Sequence, residues 1–340
     1  MYFSSENFDG THPAMIKALI KANKGFAASY GKDAYTLKAI NDFKKAFGAN
    51  DIKVFFCFNG TGANNFALSS ITEKHCAILC SDVSHLYTAE STAPETFTGC
   101  RLYPLQTLHG KIVMEDLLRK IKTKNDIHRP PATVLTITQP TEYGTIYDAK
   151  ELKMIAKHCK ANNILLHVDG ARLFNALAAM DCSLAEFVKV SGADALTLGG
   201  TKSGMMFGEA VIFFNSKRFV NIAYEHKRSM QLASKNRFIA TQFSAMLNNV
   251  LWKKIAAHTN GLAKYFEQEL MKTGKWPVTC PVQTNMVFMK MGKDNFERLN
   301  AGIHFYQWDE EQEEVRFAFS FSNTKKDVEM LLKKYRQLLQ

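Results

Sequence analysis

The chain of 340 residues lacks several features that would assign it to a class at once. No apolar run approaches the roughly 20 residues of a membrane-spanning helix, so no membrane segment is expected. Residues 1–7 contain no basic stretch followed by an apolar one, so an export signal is not expected either. With 46% hydrophobic and 22% charged residues, the composition is that of a folded globular protein.

Cysteine is present, but not in a pattern typical of disulfides or of zinc sites. The seven cysteines are an odd number, and Cys76 and Cys80 lack a second pair of ligands at zinc-finger spacing. We therefore predict reduced, buried thiols, no metal site and a cytoplasmic location.

Acidic residues are in deficit, with 32 Asp and Glu against 43 Lys and Arg, and the net charge is +11. Such an excess would favour nucleic-acid binding. However, the basic residues are dispersed, and no RNA-binding signature, zinc finger or basic tail accompanies them. A basic solvated surface, or one that steers anionic ligands, is the preferred interpretation, and a nucleic-acid-binding protein is the alternative from another class.

Apolar segments of strand length alternate with amphipathic segments of helix length, which indicates an α/β fold whose mostly parallel sheet is covered on both faces. Strands are predicted at 54–58, 77–80, 133–138, 164–168, 195–198 and 211–214, and helices at 12–23, 63–71, 114–122, 149–161 and 184–190.

The regular alternation of strand and helix patterns ends near residue 238, and the pattern that follows predicts a smaller α+β unit. One long helix over 240–273 is expected, then strands at 286–290 and 315–319 and a terminal helix from residue 325. We accordingly predict an N-terminal segment, 1–45, a large domain, 46–240, and a small C-terminal domain, 241–340.

The first candidate binding feature is the turn from Asn59 to Asn64, between a predicted strand and a predicted helix. Its glycines offer free backbone N–H groups at the positive end of a helix, and Thr61 adds a hydroxyl, which together suit a phosphate. The turn has neither the ending of a Walker loop nor the third glycine of a dinucleotide motif. Gly60 and Thr61 are its candidate phosphate-binding residues. An ordinary strand-to-helix turn is the alternative interpretation.

The second feature closes the predicted strand 164–168, with the sequence His167-Val168-Asp169-Gly170-Ala171-Arg172. An acid at the carboxyl end of a central strand lies where open α/β sheets bind ligands. Asp169 therefore marks a candidate site, although a simple ion pair between Asp169 and Arg172 is the competing interpretation.

The third feature is Lys202, which lies among glycines and small residues after another predicted strand. A free lysine has a pKa of about 10.4, and forming a Schiff base avoids the cost of holding the amine neutral. The alternative is an exposed loop lysine, the usual environment of this residue.

The fourth feature is His85, which follows the predicted strand 77–80. Its aromatic ring can stack on a flat cofactor, and a structural histidine is the equal alternative. Together, a phosphate cup, a stacking ring, an acid for a ring nitrogen and a Schiff-base lysine are what pyridoxal 5'-phosphate requires. Gly60 and Thr61, His85, Asp169 and Lys202 occur in that order, each after a strand.

At this point the sequence resembles the low-specificity L-threonine aldolases, which are fold-type I pyridoxal phosphate enzymes related to β-eliminating lyases. The resemblance runs nearly end to end. The matching segments are 3–7, 28–31, 58–61, 84–85, 137–145, 167–172, 199–202 and 231–237.

The resemblance implies a large domain with a seven-stranded, mostly parallel sheet between helices, plus a small C-terminal domain. It further implies that Ser5, Arg172 and Arg316 hold the substrate α-carboxylate, a task that suits guanidinium groups. Arg237 matches an arginine that binds the cofactor phosphate from a neighbouring subunit. Tyr30 lies in the N-terminal segment, 1–45, which is expected to contribute to that interface and to the active site near the substrate.

One segment departs from the family pattern. Many members carry a histidine that organises the base for the substrate hydroxyl, and here the corresponding stretch, 140–144, has Glu142 instead. Either Glu142 takes that role, or His85 alone acts through a water molecule.

The activity implied is aldol cleavage of L-threonine, L-allo-threonine and other β-hydroxy-α-amino acids to glycine and an aldehyde. The implied assembly is a dimer or dimer of dimers with shared active sites. Another pyridoxal phosphate enzyme of this fold, a β-eliminating lyase or an aminotransferase, is the nearest alternative. Neither nucleic acid nor membrane is an expected partner.

Overall fold

The computed structural model describes residues 1–121, 126–274 and 278–338, apart from the side chain of Ser216. Its α-helices are α1 Pro13–Ala22, α2 Ala34–Phe47, α3 Gly60–Ile71, α4 His85–Thr88, α5 Ala93–Thr98, α6 Met114–Ile121, α7 Ala149–Ala161, α8 Leu173–Ala179, α9 Leu184–Ser191, α10 Ile222–Arg228, α11 Arg237–Leu247, α12 Leu251–Met271, α13 Lys293–Asn300 and α14 Lys325–Leu338. Its strands are β1 Ile52–Cys57, β2 Ala77–Ser81, β3 Arg101–Leu105, β4 Thr107–Leu108, β5 Lys111–Ile112, β6 Ala132–Thr138, β7 Leu165–Gly170, β8 Ala195–Gly199, β9 Glu209–Phe214, β10 Met286–Lys290, β11 Tyr306–Asp309 and β12 Glu314–Ala318.

The central sheet has seven strands in the order β1-β9-β8-β7-β6-β2-β3. Strand β9 is antiparallel to both of its neighbours, and every other adjacent pair is parallel. Strands β2, β7 and β8 are buried along their whole length, as expected for a sheet with helices on both faces. The predicted mostly parallel, seven-stranded architecture is confirmed. The edge strand β3 was missed, because it contains Pro104 and alternates in exposure.

Helix α3 begins three residues earlier than predicted, since the Asn59 side chain caps the N–H of Gly62. No bounds were predicted for helix α2, although the basic stretch 24–53 that contains it has a helical pattern. The predicted α6 extends to Lys122, which lies outside the described residues.

The single helix predicted over 240–273 is wrong, because two helices, α11 and α12, occupy this range. Asn249 and Val250 between them have positive φ angles of 52°. Asparagine has a low helix propensity and tolerates the left-handed conformation, which breaks the helix here.

The small C-terminal sheet is antiparallel in the order β10-β12-β11. Its hydrophobic cluster includes Phe266 on α12, and Phe3 from the N-terminus packs into the same cluster. Trp252, on the other end of α12, belongs to the large cluster beside the central sheet. The divisions after residues 45 and 240 remain predictions, and the second falls within α11.

Among the described residues, no helix has both the length and the apolar character that crossing a bilayer requires. All seven cysteines are free thiols, and six of them are buried.

Candidate active site

A cleft of about 1120 Å³ opens at the carboxyl edge of the parallel strands, where open α/β sheets bind ligands. Most of the predicted site residues line it together, although they lie far apart in the chain. They are Ser5, Gly60, Thr61, His85, Glu142, Asp169, Arg172, Lys202 and Arg316.

The amino end of α3 forms one end of the cleft. The Asn59 side chain accepts from the N–H of Gly62 at 2.8 Å, while the N–H groups of Gly60 and Thr61 have no hydrogen-bond partner within the described residues. A Cβ at Gly62 would lie 2.1 Å from Nε2 of Gln231, so a larger residue would displace the Gln231 side chain, whose Oε1 accepts from the N–H of Phe58. Free N–H groups at a helix amino end are a fitting site for a phosphate.

Asp169 is the last residue but one of β7, and both oxygens of its buried carboxylate accept hydrogen bonds. Oδ1 accepts from the backbone N–H of Ala171 at 3.0 Å, and Oδ2 accepts from Nδ2 of Asn64 at 2.9 Å. Asn64 lies on α3 and ends the candidate phosphate-binding turn, but its contact with Asp169 was not predicted from the sequence. Among the described residues, the ion pair of Arg172 is with Glu6 rather than with Asp169, so the competing interpretation of Asp169 is wrong.

Glu6 is the partner that the sequence analysis missed for Arg172. Nε of Arg172 donates to Oε1 of Glu6 at 2.6 Å, and Nη2 donates to Oε2 at 2.7 Å. Asn285 donates to Oε1 of Glu6 at 2.7 Å from the opposite side of the carboxylate. Burial, the largest single effect, would raise the pKa of Glu6. The charge and hydrogen bonds of Arg172, together with Lys202 and Asn285, outweigh burial and lower this pKa to about 2.

Lys202 lies in a short 3-10 turn, Thr201–Ser203, directly after β8. The neighbouring Arg172 cation lowers the pKa of the Lys202 amine, and burial lowers it further, whereas nearby carboxylates including Asp169 oppose the shift. A lowered pKa raises the fraction of neutral amine, which is the nucleophilic form needed for a Schiff base.

Glu209, the first residue of β9, is a second buried carboxylate beside this turn. Its Oε2 accepts from the N–H of Gly200 at 2.7 Å. Burial raises the pKa of Glu209 to about 7. Because β9 is antiparallel, its first residue lies at the same edge as the ends of the parallel strands, which a sequence pattern does not reveal.

Arg316 on β12 faces the cleft from the small sheet. Its Nη2 donates to the carbonyl of Ser4 at 3.0 Å, and its guanidinium lies 4.9 Å from the ring centroid of Tyr306 and 5.2 Å from that of Trp308. The buried Nε of Arg316 has no partner among the described residues. Burial lowers the pKa of Arg316 to about 10. An unpartnered donor beside Ser5 and Arg172 suits an incoming carboxylate.

His85 and Glu142 form the opposite wall of the cleft. Oε1 of Glu142 accepts from the backbone N–H of His85 at 3.0 Å and from the Thr138 hydroxyl at 2.7 Å. Its Oε2 is buried without a partner in the described part of the chain. Burial raises the pKa of Glu142 to about 7, which makes it able to exchange a proton near neutral pH.

Tyr30 and Arg237 do not line the cleft of this chain. Tyr30 has a positive φ of 54°, and its N–H donates to the carbonyl of Ser234 at 2.9 Å. Arg237 begins α11, and its buried Nε has no partner among the described residues. The predicted roles of both residues require a second chain and remain predictions.

Comparison with known proteins gives a consistent result. The family model described as beta-eliminating lyase matches residues 3–293. The chain is 38% identical to the low specificity L-threonine aldolase of a Pseudomonas species, over 92% of this chain and 94% of that protein. It is 37% identical, with the same coverage, to the low specificity L-threonine aldolase of Pseudomonas aeruginosa. The solved structure of Leishmania major threonine aldolase superposes with a TM-score of 0.94 at 26% identity, covering 100% of this chain and 99% of that one.

Proposed function

The chain belongs to the beta-eliminating lyase family, and from that membership we propose that it is an L-threonine aldolase of low specificity. It cleaves L-threonine, L-allo-threonine and other β-hydroxy-α-amino acids to glycine and an aldehyde, which is acetaldehyde in the case of threonine. The observation that carries this proposal is the cleft in which Lys202, Asp169 and Arg172 meet.

The residues of the cleft fit pyridoxal 5'-phosphate. Gly60 and Thr61 would offer its phosphate N–H groups that have no partner in the described part of the chain. Lys202 would offer an amine of lowered pKa for its aldehyde, and Asp169 a fixed carboxylate for its ring nitrogen. His85 offers a ring for stacking. When bound, the cofactor supplies an electron sink for the electron pair left at Cα.

The substrate carboxylate binds between Arg172 and Arg316. Glu6 occupies Nε and one hydrogen of Nη2 on Arg172, which leaves Nη1 and the second Nη2 hydrogen for the substrate. Among the described residues, the Nε of Arg316 has no partner, and the Ser5 hydroxyl lines the same cleft. Fixing the carboxylate would set which bond at Cα is presented to the bound cofactor, and positioning of this kind lowers a barrier by roughly 7–11 kcal/mol in favourable cases.

Glu142 accepts the proton of the β-hydroxyl group as the Cα–Cβ bond breaks. Its Oε2, which has no partner among the described residues, and its pKa of about 7 suit that task. His85 lies beside it, tied to Glu142 through its backbone N–H, and helps to hold the same hydroxyl group or a water molecule next to it.

Borohydride reduction of the purified protein followed by peptide mapping tests this assignment. We expect cofactor trapped on Lys202, and glycine with acetaldehyde as the products from L-threonine. Trapping on a different lysine would end the assignment of the site. Pyruvate with ammonia would indicate a β-eliminating lyase, and transfer to a keto acid would indicate an aminotransferase. Incubation with each of the four threonine stereoisomers, followed by chiral analysis of the unreacted amino acid, tests whether the enzyme requires the L configuration at Cα and which configuration it prefers at Cβ.

We also propose that the protein is a cytoplasmic homo-oligomer, a dimer or dimer of dimers, with active sites at subunit interfaces. Phe26 is fully exposed and Tyr224 is 78% exposed, which is unusual for large apolar side chains. Their segments meet where the Lys227 ammonium lies 5.5 Å from the Tyr30 ring centroid. Light scattering on the purified protein measures the mass of the assembly, and a monomer at micromolar concentration would contradict the shared site.

A further inference from the structure

A buried carboxylate lies directly beside the His85 ring. Nδ1 of His85 lies 3.0 Å from Oε1 of Glu90. The Glu90 side chain is fully shielded from solvent, whereas that of His85 is 49% exposed. The imidazole therefore connects a buried acceptor on one side with the open cleft on the other.

This contact depends on the end of helix α4. At about 100° per residue, two side chains five positions apart in a continuous helix point about 140° apart. Because α4 ends at Thr88, the chain turns and Glu90 comes back to face His85. The contact is therefore not a by-product of regular helix geometry.

The other contacts of Glu90 decide where the proton lies. Nδ2 of Asn64 donates to the same Oε1 of Glu90 at 3.1 Å and to Oδ2 of Asp169 at 2.9 Å. An amide NH₂ group has two hydrogens, so each carboxylate receives one. Oε1 of Glu90 thus accepts from Asn64, and an ionised carboxylate has no hydrogen of its own to donate. With Glu90 ionised, the hydrogen between Glu90 and His85 therefore lies on Nδ1 of the ring.

We propose that Glu90 is a positioning residue that holds His85 in the tautomer with its proton on Nδ1, leaving Nε2 as an unprotonated acceptor towards the cleft. A buried carboxylate on one ring nitrogen fixes both the tautomer and the ring orientation. Glu142 fixes the backbone of His85 through its N–H, so the two carboxylates hold different parts of this residue. The proposal rests on the proposed function, because the group that Nε2 accepts from is the substrate hydroxyl or a water next to it.

The test combines nitrogen-15 NMR of labelled histidine with a double-mutant cycle on the cofactor-loaded protein. The chain has ten histidines, and comparison with a His85→Asn spectrum assigns the signal of His85. We expect the wild-type ring to be protonated at Nδ1 at neutral pH, and Glu90→Gln to populate the other tautomer. Because His85 then presents a donor to the cleft, Glu90→Gln should lower kcat for L-threonine cleavage about tenfold or more, with KM changed less than about twofold.

The cycle separates positioning from a general structural effect. If Glu90 acts through His85, adding Glu90→Gln to His85→Asn should change kcat by less than about twofold, because the interaction has already been removed. Glu95→Gln, on the neighbouring helix α5, is the matched control and should change neither the tautomer nor kcat. If Glu90→Gln does not fold, Glu90→Asp replaces it, since it keeps the charge but shortens the reach by one methylene.

A wild-type ring protonated at Nε2, or additive losses in the cycle, would overturn the proposal. A wild-type protein that does not cleave β-hydroxy-α-amino acids would instead refute the proposed function, and the NMR comparison would still decide the tautomer. The two failures are therefore distinguishable.

Discussion

The Glu6 carboxylate binds the Arg172 guanidinium at two points, with contacts of 2.6 and 2.7 Å. Both side chains are almost fully buried: 11% of the Arg172 side chain and 4% of the Glu6 side chain are exposed. Since the pair uses one edge of the guanidinium, it fixes the plane of Arg172 without consuming the donors that face the cleft. A residue near the amino terminus thus orients a guanidinium 166 positions away, the one that we propose binds the substrate carboxylate.

Replacing Glu6 by Gln should destabilise the protein strongly. Removing one partner of a buried ion pair leaves an uncompensated charge and costs about 3 kcal/mol or more in the free energy of unfolding. Urea denaturation followed by circular dichroism measures this change. Glu225→Gln, which breaks the more exposed pair with Arg228, should cost less than about 1 kcal/mol. Equal losses in the two variants would contradict the structural role assigned to Glu6.

The same carboxylate should make stability sensitive to acid. The pKa of Glu6 is lowered from its ordinary 4.5 to about 2 in the folded chain, so its contribution is fully present above pH 4.5 and is lost as the pH falls towards 2. The difference corresponds to about 3 kcal/mol. The gap in unfolding free energy between wild type and Glu6→Gln should therefore narrow between pH 5 and pH 3. A gap independent of pH would show that charge is not the cause.

Two carboxyl groups with a pKa of about 7 line the cleft, and activity should distinguish them. If ionised Glu142 takes the hydroxyl proton, kcat/KM for L-threonine should rise with pH through about 7 in the wild type. Glu142→Gln should remove that rise and lower kcat about 100-fold. Glu209→Gln, measured at saturating cofactor, should keep the rise of kcat/KM with pH. A rise that survives in Glu142→Gln would favour His85 acting through water.

Arg316→Lys should weaken substrate binding, although the charge is kept. A lysine cannot present two donors in one plane or stack on Tyr306 and Trp308 as the guanidinium does. We expect KM for several β-hydroxy-α-amino acids to rise by about tenfold, because the lost interaction is with the carboxylate they share. Steady-state kinetics measures this, with Arg298→Lys on the exposed face of α13 as the matched control. An effect on one substrate only would exclude Arg316 from carboxylate binding.

Two glycine-to-alanine changes should have opposite signs. A Cβ at Gly199 would lie 2.1 Å from the carbonyl oxygen of Ala171, where backbone meets backbone, so Gly199→Ala should lower the melting temperature or prevent folding. Gly261 lies within α12 and has open space around it. Gly261→Ala should stabilise the protein by up to about 1 kcal/mol, because alanine favours the helix. Thermal unfolding compares them, and a stable Gly199→Ala protein would contradict the packing between β7 and β8.

The sequence predicted the site residues that directly follow a buried strand and the strands themselves. Asp169 and Lys202 were identified because each follows an apolar run, and parallel strands bring their carboxyl ends to one edge. The central strands were predicted because burial on both faces requires continuous apolar residues. The long helix failed where it did because two residues, Asn249 and Val250, adopt a conformation that hydrophobic periodicity does not report.

The amino-acid sequence by itself determined the alternation of strands and helices, the order of the cofactor-binding features and the family. Only the tertiary structure decided that Arg172 pairs with Glu6, that Glu90 lies beside His85 and that Glu209 shares the cleft with Lys202. These contacts join elements that are distant in the chain, or form where a helix ends. A single ion pair or hydrogen bond leaves no periodic pattern in the sequence from which it could be predicted. Burial, which shifts the pKa of Glu142 and Glu209 to about 7, is likewise a property of the packed molecule.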